Sequence, residues 1–136
     1  MSSHVIPTLR YQDAHKAINF LVQAFAFNAA NVVTNDKGVV EHAELSFRDG
    51  MVMLGSVTDN EFGRLLTTAR AAGKPTQSEY VIVDDVAEHA ARAEVAGAVI
   101  LMPPTRQDYG ATDYTCSDPE GNVWSFGDYD PWAANS

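Results

Sequence analysis

The chain has 136 residues, with 18 acidic side chains against 9 basic ones and a net charge of −9. That balance excludes nucleic-acid binding by phosphate neutralisation; it would attract cationic small molecules through long-range steering, or serve only to keep the protein soluble. With 46% hydrophobic and 20% charged residues, the chain reads as one domain, 1–136, large enough for a real core.

The longest apolar run, Val95 to Met102, falls well short of the ~18 residues of a membrane span. Met1-Ser2-Ser3-His4 lacks a basic region followed by an apolar one, so no signal peptide is expected. Cys116 is a lone cysteine, which precludes an internal disulfide and is compatible with a reducing cytoplasm. No Lys, Arg or His is adjacent to it in sequence, so it reads as a small buried hydrophobe.

In chain order, a short strand from Val5 to Tyr11 comes first. Asp13 follows as an N-cap, and Ala17, Ile18, Leu21, Val22 and Phe25 form the apolar stripe of a helix near 14–27. Strand-like stretches then run over 31–34, 39–47 and 51–55. The segment 58–77 is polar, apart from a helical patch at Phe62, Leu65, Leu66 and Ala69. It reads equally as a functional insertion or a plain linker.

A strand at Tyr80 to Val83 opens the second half. Asp85, with Glu88 three residues on, caps a helix near 86–96 that Gly97 ends; its inner face is Val86, Ala90 and Ala93. His15 and His89 sit at helix starts and are expected to be exposed. Strands at 99–102, 113–117 and 123–127 complete the order. A shift of 72 residues lays Asp13 on Asp85 and Val52 on Trp124. The chain therefore repeats a strand-helix-strand-strand-strand pattern, over about 4–57 and about 78–130, with a tail at 131–136.

Near the end stands Asp118-Pro119-Glu120-Gly121-Asn122-Val123-Trp124-Ser125-Phe126, a turn that feeds a strand, with Tyr109-Gly110 upstream. Together with the duplicated pattern, this resembles the C-terminal signature of the vicinal oxygen chelate superfamily, which holds glyoxalase I, extradiol dioxygenases and the bleomycin-resistance binding proteins. The resemblance implies an α+β fold: two βαβββ modules that form a curved, cup-like mixed sheet with helices outside, the glyoxalase/bleomycin resistance fold.

Strand alternation assigns the faces. Val5, Pro7, Leu9, Ala43, Leu45, Phe47, Val52, Leu54, Val81, Val83, Trp124 and Phe126 should pack on the helices. His4, Ile6, Thr8, Arg10, His42, Glu44, Ser46, Met51, Met53, Ser78, Tyr80, Ile82, Val123 and Ser125 should face the cup. In the seventh strand, either Tyr114 and Cys116 or Thr115 and Ser117 point inward.

By resemblance, metal ligands would stand at Ile6, Met53, Ser78 and Ser125. These supply neither imidazole nor carboxylate, so no metal and no cofactor are expected there. A one-residue register error would bring in a donor only at Glu79. A displaced site would need His4, His42 and Glu44, the two-His, one-carboxylate set that suits iron(II) or zinc.

With those ligands missing, the resemblance implies a metal-free binding protein of the bleomycin-resistance type, with no catalytic residue. It would be a cytoplasmic homodimer that sequesters a planar or cationic natural product or antibiotic in a cup at the dimer interface. Its ligand-binding residues would be Ile6, Thr8, His42, Glu44, Met51, Met53, Ser78, Tyr80, Arg106, Tyr109 and Ser125. The alternative is a glyoxalase- or dioxygenase-like enzyme that uses the displaced site, or a metal-free isomerase, with Glu44 as base and Arg106 or His42 as electrophile or orienter.

Overall fold

The computed structural model describes residues 1–134. The chain runs β1 (Thr8–Tyr11), α1 (Ala14–Phe25), β2 (Asn28–Thr34), β3 (Val40–Phe47) and β4 (Gly50–Ser56). A 3-10 turn (Gly63–Leu65) and the short α2 (Ala69–Ala72) follow. The second half is β5 (Ser78–Ile82), α3 (Val86–Val95), β6 (Val99–Arg106), β7 (Thr112–Ser117) and β8 (Val123–Gly127), and α4 (Pro131–Ala134) closes the described chain.

The strands make two four-stranded sheets, ordered β1-β4-β3-β2 and β5-β8-β7-β6. This is the α+β fold that the duplicated pattern implies. In each sheet the first and last strands pair in parallel, with Thr8 opposite Met53 and Tyr80 opposite Ser125. The 72-residue shift thus carries one register onto the other.

Both helices start as their sequences dictate. The Asp13 carboxylate accepts from the Lys16 N–H at 3.0 Å, and that of Asp85 from Glu88 at 3.1 Å, each satisfying a donor that the first helical turn leaves free. Helix α1 stops at Phe25 because Ala26 turns left-handed (φ 68°) and Phe27 returns its N–H to Leu21.

One core serves both halves. Leu21, Phe25, Ala43, Leu45 and Leu54 of the first are buried together with Ala93, Tyr114, Cys116, Trp124 and Phe126 of the second. Phe25 is the central ring, 5.3 Å from Trp124 and 4.6 Å from Phe126. Tyr114 and Cys116 are therefore the inward pair of β7. Helix α1 packs on α3, and among the described residues no strand of one sheet lies beside a strand of the other. The two sheets turn their closed faces to this shared core, and their open faces look away from it.

Several expectations need correction. His89 is buried, since it lies three residues beyond Val86 on the inner face of α3. Its Nε2 faces the Phe25 carbonyl at 3.1 Å and its Nδ1 the Tyr114 hydroxyl at 2.6 Å. The carbonyl can only accept, so Nε2 carries the proton and Nδ1 accepts from Tyr114. Burial lowers the His89 pKa, and Arg92 adds to this against the opposing Phe25 bond. Val5 is 96% exposed and precedes β1 instead of packing. Strand β2 begins three residues earlier than the apolar residues suggested, and β6 runs on through Pro103 and Pro104 to Arg106. Being the outer strand of its sheet, β6 tolerates prolines that donate no N–H.

The Asp118-Pro119-Glu120-Gly121-Asn122 turn does more than reverse the chain. Asp118 is buried and accepts five hydrogen bonds: from the Tyr11 hydroxyl at 2.7 Å, Trp124 Nε1, Asn122 Nδ2, and the Glu120 and Asn122 amides. Glu120 accepts from the backbone amides of Gln12 and Asp13 at 2.7 and 2.8 Å. The turn thus latches the last hairpin onto the corner between β1 and α1. Burial, then the Asp118 charge, pushes the Tyr11 hydroxyl pKa well up.

Candidate functional site

The open face of the first sheet gathers most of the expected residues of that half. Thr8, Met53 and Glu44 stand side by side on β1, β4 and β3, and Met51 lies one row along, opposite Ser46. His42 Nε2 lies 2.9 Å from Glu44 Oε2, and Asn31 Nδ2 donates to the same oxygen at 3.1 Å. The bond from His42, then that from Asn31, holds the Glu44 carboxyl below the usual range. Ile6 lies just before β1, with 37% of its surface exposed.

On the second sheet, Tyr80 and Ser125 are neighbours on β5 and β8, and Ser78 lies one row away, opposite Val123. The Ser125 hydroxyl is 2.8 Å from that of Thr115. Tyr80 crosses β8 because residue 127 is glycine: a Cβ there would stand 2.8 Å from the Tyr80 hydroxyl. That hydroxyl donates to the Tyr129 carbonyl at 2.8 Å. Tyr109 meets the Tyr129 ring edge-on at 5.6 Å and reaches Asp113. Partial burial pushes the Tyr80 pKa up. Arg106 is exposed at the end of β6.

The structure thus brings the expected residues together as two separate groups on two faces. Thr115 and Tyr129 belong to the second group and were missed. Thr115 was hidden by the open choice of face on β7, and Tyr129 lies beyond the last strand. Arg10, on the open face of β1, was placed correctly by alternation but given no role.

Glu79 points into the interior, where burial pushes its carboxyl pKa up. Cys116 is buried, and its thiol is pushed up to about 12 by burial and then by Asp118. A thiol so rarely ionised is a poor nucleophile. Among the described residues no three His, Cys, Asp or Glu side chains converge as metal ligands; His42 and Glu44 meet, and His4 does not join them.

The sequence profile of the Glyoxalase/Bleomycin resistance protein/Dioxygenase superfamily matches residues 3–126, and the chain belongs to that superfamily. It is similar to TioX from Micromonospora sp. ML1, at 31% identity and a TM-score of 0.74 over 93% of this chain and 98% of that one. An uncharacterized protein of Mycobacterium bovis is 31% identical over 121 residues, which are 89% of this chain and 80% of the relative. The fosfomycin resistance protein FosX from Mesorhizobium loti shares the fold, with a TM-score of 0.68 at 11% identity over 100% of this chain and 99% of that one.

Metal-dependent members of the superfamily would place ligands at Ile6, Met53, Ser78 and Ser125. Two hydroxyls, a thioether and an alkyl group do not fit a hard or borderline divalent cation. Among the described residues no helix is long and apolar enough to cross a membrane.

Proposed function

We propose that the protein is a metal-free binding protein that sequesters a planar, mainly apolar small molecule, such as an antibiotic or other natural product, in a cup completed by a second copy of the chain. One observation carries this reading. The two open faces of a chain look away from one shared core, so neither encloses a ligand alone, and pairing the first-half face of one copy with the second-half face of another would. In a closed two-fold dimer this happens twice. The paired faces would set the soft, adaptable Met51 and Met53 against the Tyr80, Tyr109 and Tyr129 rings, an apolar lining with a few polar groups. The net charge of −9 favours a cationic guest.

The His42–Glu44 contact at 2.9 Å favours a second reading. Glu44 would act as a general base on a substrate in the same cup, and a weak one, because the His42 and Asn31 bonds lower its pKa.

Light scattering should give a dimer at micromolar concentration, and a quinoxaline-type chromophore should quench Tyr and Trp fluorescence. Tyr80→Ala should weaken that binding by roughly two- to tenfold, the scale of one lost stacking contact. A monomer, or no quenching by a panel of planar chromophores, contradicts sequestration. A recovered ligand of changed mass, formed with turnover that Glu44→Gln abolishes, establishes the enzyme instead.

A further inference from the structure

Arg10 is the cation of this chain with the least explained surroundings. Arg48 and Arg64 pair with Asp84 and Asp59, and Arg70 and Arg92 donate to backbone carbonyls. The Arg10 side chain has no hydrogen bond or ion pair among the described residues, although the chain holds twice as many acidic as basic groups. Its Nε is buried without a partner. Folded proteins seldom leave a guanidinium N–H in that state, and a bound water or ion is one standard reason.

The side chain is nonetheless held in place. The guanidinium carbon stands 5.3 Å from the centre of the Phe62 ring, a cation–π arrangement. Residue 55 must be glycine for it to lie there, because a Cβ would come within 2.5 Å of Nη1. A fixed, planar donor set of this kind is preorganised for a carboxylate fork.

Arg10 also lines a cavity of about 280 Å³ between the ends of β1 and β4 and the segment that joins the two halves. Gln12, Thr58 and Thr67 give it polar walls, and Val57 and Leu66 apolar ones. The Thr68 hydroxyl is already used to cap α2, whereas that of Thr67 has no bond among the described residues.

We propose that this cavity is a binding site for a small organic monocarboxylate, its carboxylate on Arg10 and Thr67 and its apolar body against Val57 and Leu66. A single guanidinium balances one negative charge, and a net charge of −9 opposes a dianion such as phosphate. One chain lines the cavity, at the end of the open face away from Met51, so its occupation is tested separately from the dimeric cup. It also gives the joining segment a function.

Benzoate, benzamide and inorganic phosphate, each titrated into the full-length protein and followed by amide NMR shifts, test the proposal. Benzoate should bind saturably, shifting Val57, Thr67 and Ala71. Benzamide, of the same shape without the charge, should bind at least roughly tenfold more weakly, as loss of a charge-assisted bond implies. Arg10→Gln should weaken benzoate by a similar factor, and Thr67→Val by a smaller one, with the fold checked by circular dichroism. Should Arg10→Gln fail to fold, Thr67→Val and the benzamide comparison still decide. Equal binding of benzoate and benzamide, tighter binding of phosphate, shifts centred on β5 and β8, or no saturable shift at tens of millimolar would each overturn the proposal.

Discussion

The same hairpin occurs once in each half, and the two copies hold the molecule together by opposite means. In the first, Phe47 pairs with Gly50 around a two-residue turn, and Arg48 reaches the second half to meet Asp84 at 2.7 Å. In the second, Ser117 pairs with Val123 around a longer turn, and Glu120 reaches the first half to hold the amides of Gln12 and Asp13. The 72-residue shift lays Arg48 on Glu120 and Gln12 on Asp84. One position thus bears a cation that meets a carboxylate in solvent, and its counterpart a carboxylate that meets backbone amides in the interior. The two halves share the contact and differ in its chemistry, and burial decides which copy matters for stability.

Asp118 supports the buried copy, so its loss should be the most costly. Asp118→Ala leaves the Tyr11 hydroxyl and the Trp124 indole N–H buried without acceptors, and should destabilise the fold by about 3–5 kcal/mol, read as a lower urea midpoint. Glu120→Gln retains one carbonyl oxygen for two backbone amides and should cost about 1–3 kcal/mol. If either change proves neutral, the latch does not hold the halves together.

The helix pair is asymmetric too, with His89 at the position that Ala17 occupies in the first half. A histidine whose pKa is lowered by burial stays neutral in the folded state while the unfolded chain protonates from about pH 6.5 downward. Stability should therefore be full above that pH and fall as the pH drops through 6 and below. His89→Gln keeps a donor for Phe25 and an acceptor for Tyr114 without titrating, and should flatten the difference between midpoints at pH 7.5 and pH 5.5. Smallest of all is the exposed copy of the hairpin contact. Arg48→Ala should cost less than about 1 kcal/mol, and a larger loss would reverse the ranking of the two turns.

What the sequence disclosed follows the range of the interactions. Asp13 and Asp85 bond amides three residues away, so their caps were readable, as were the inward alternation of Trp124 and Phe126 and the duplication itself. The latch was readable only as a turn, because Tyr11 lies 107 residues from Asp118. His89 could have been found, since it stands between Val86 and Ala90 on one face. Its polar side chain argued for solvent, and only the long-range Phe25 carbonyl and Tyr114 hydroxyl satisfy it inside. For the candidate site, alternation placed Thr8, Glu44, Met53, Tyr80 and Ser125 on open faces. That the two faces point away from one core depends on α1 packing on α3, which no periodicity within either half reveals.

The latch also has a consequence for the order in which the chain acquires its structure. The corner between β1 and α1 is synthesised early, yet the carboxylates that satisfy Tyr11, Gln12 and Asp13 arrive more than a hundred residues later. Closing so long a loop is entropically slow compared with local pairing. The first βαβββ half is therefore expected to stay unsealed at that corner, with α1 lacking its α3 partner, and chains of increasing length should gain protease resistance only when they include residue 118.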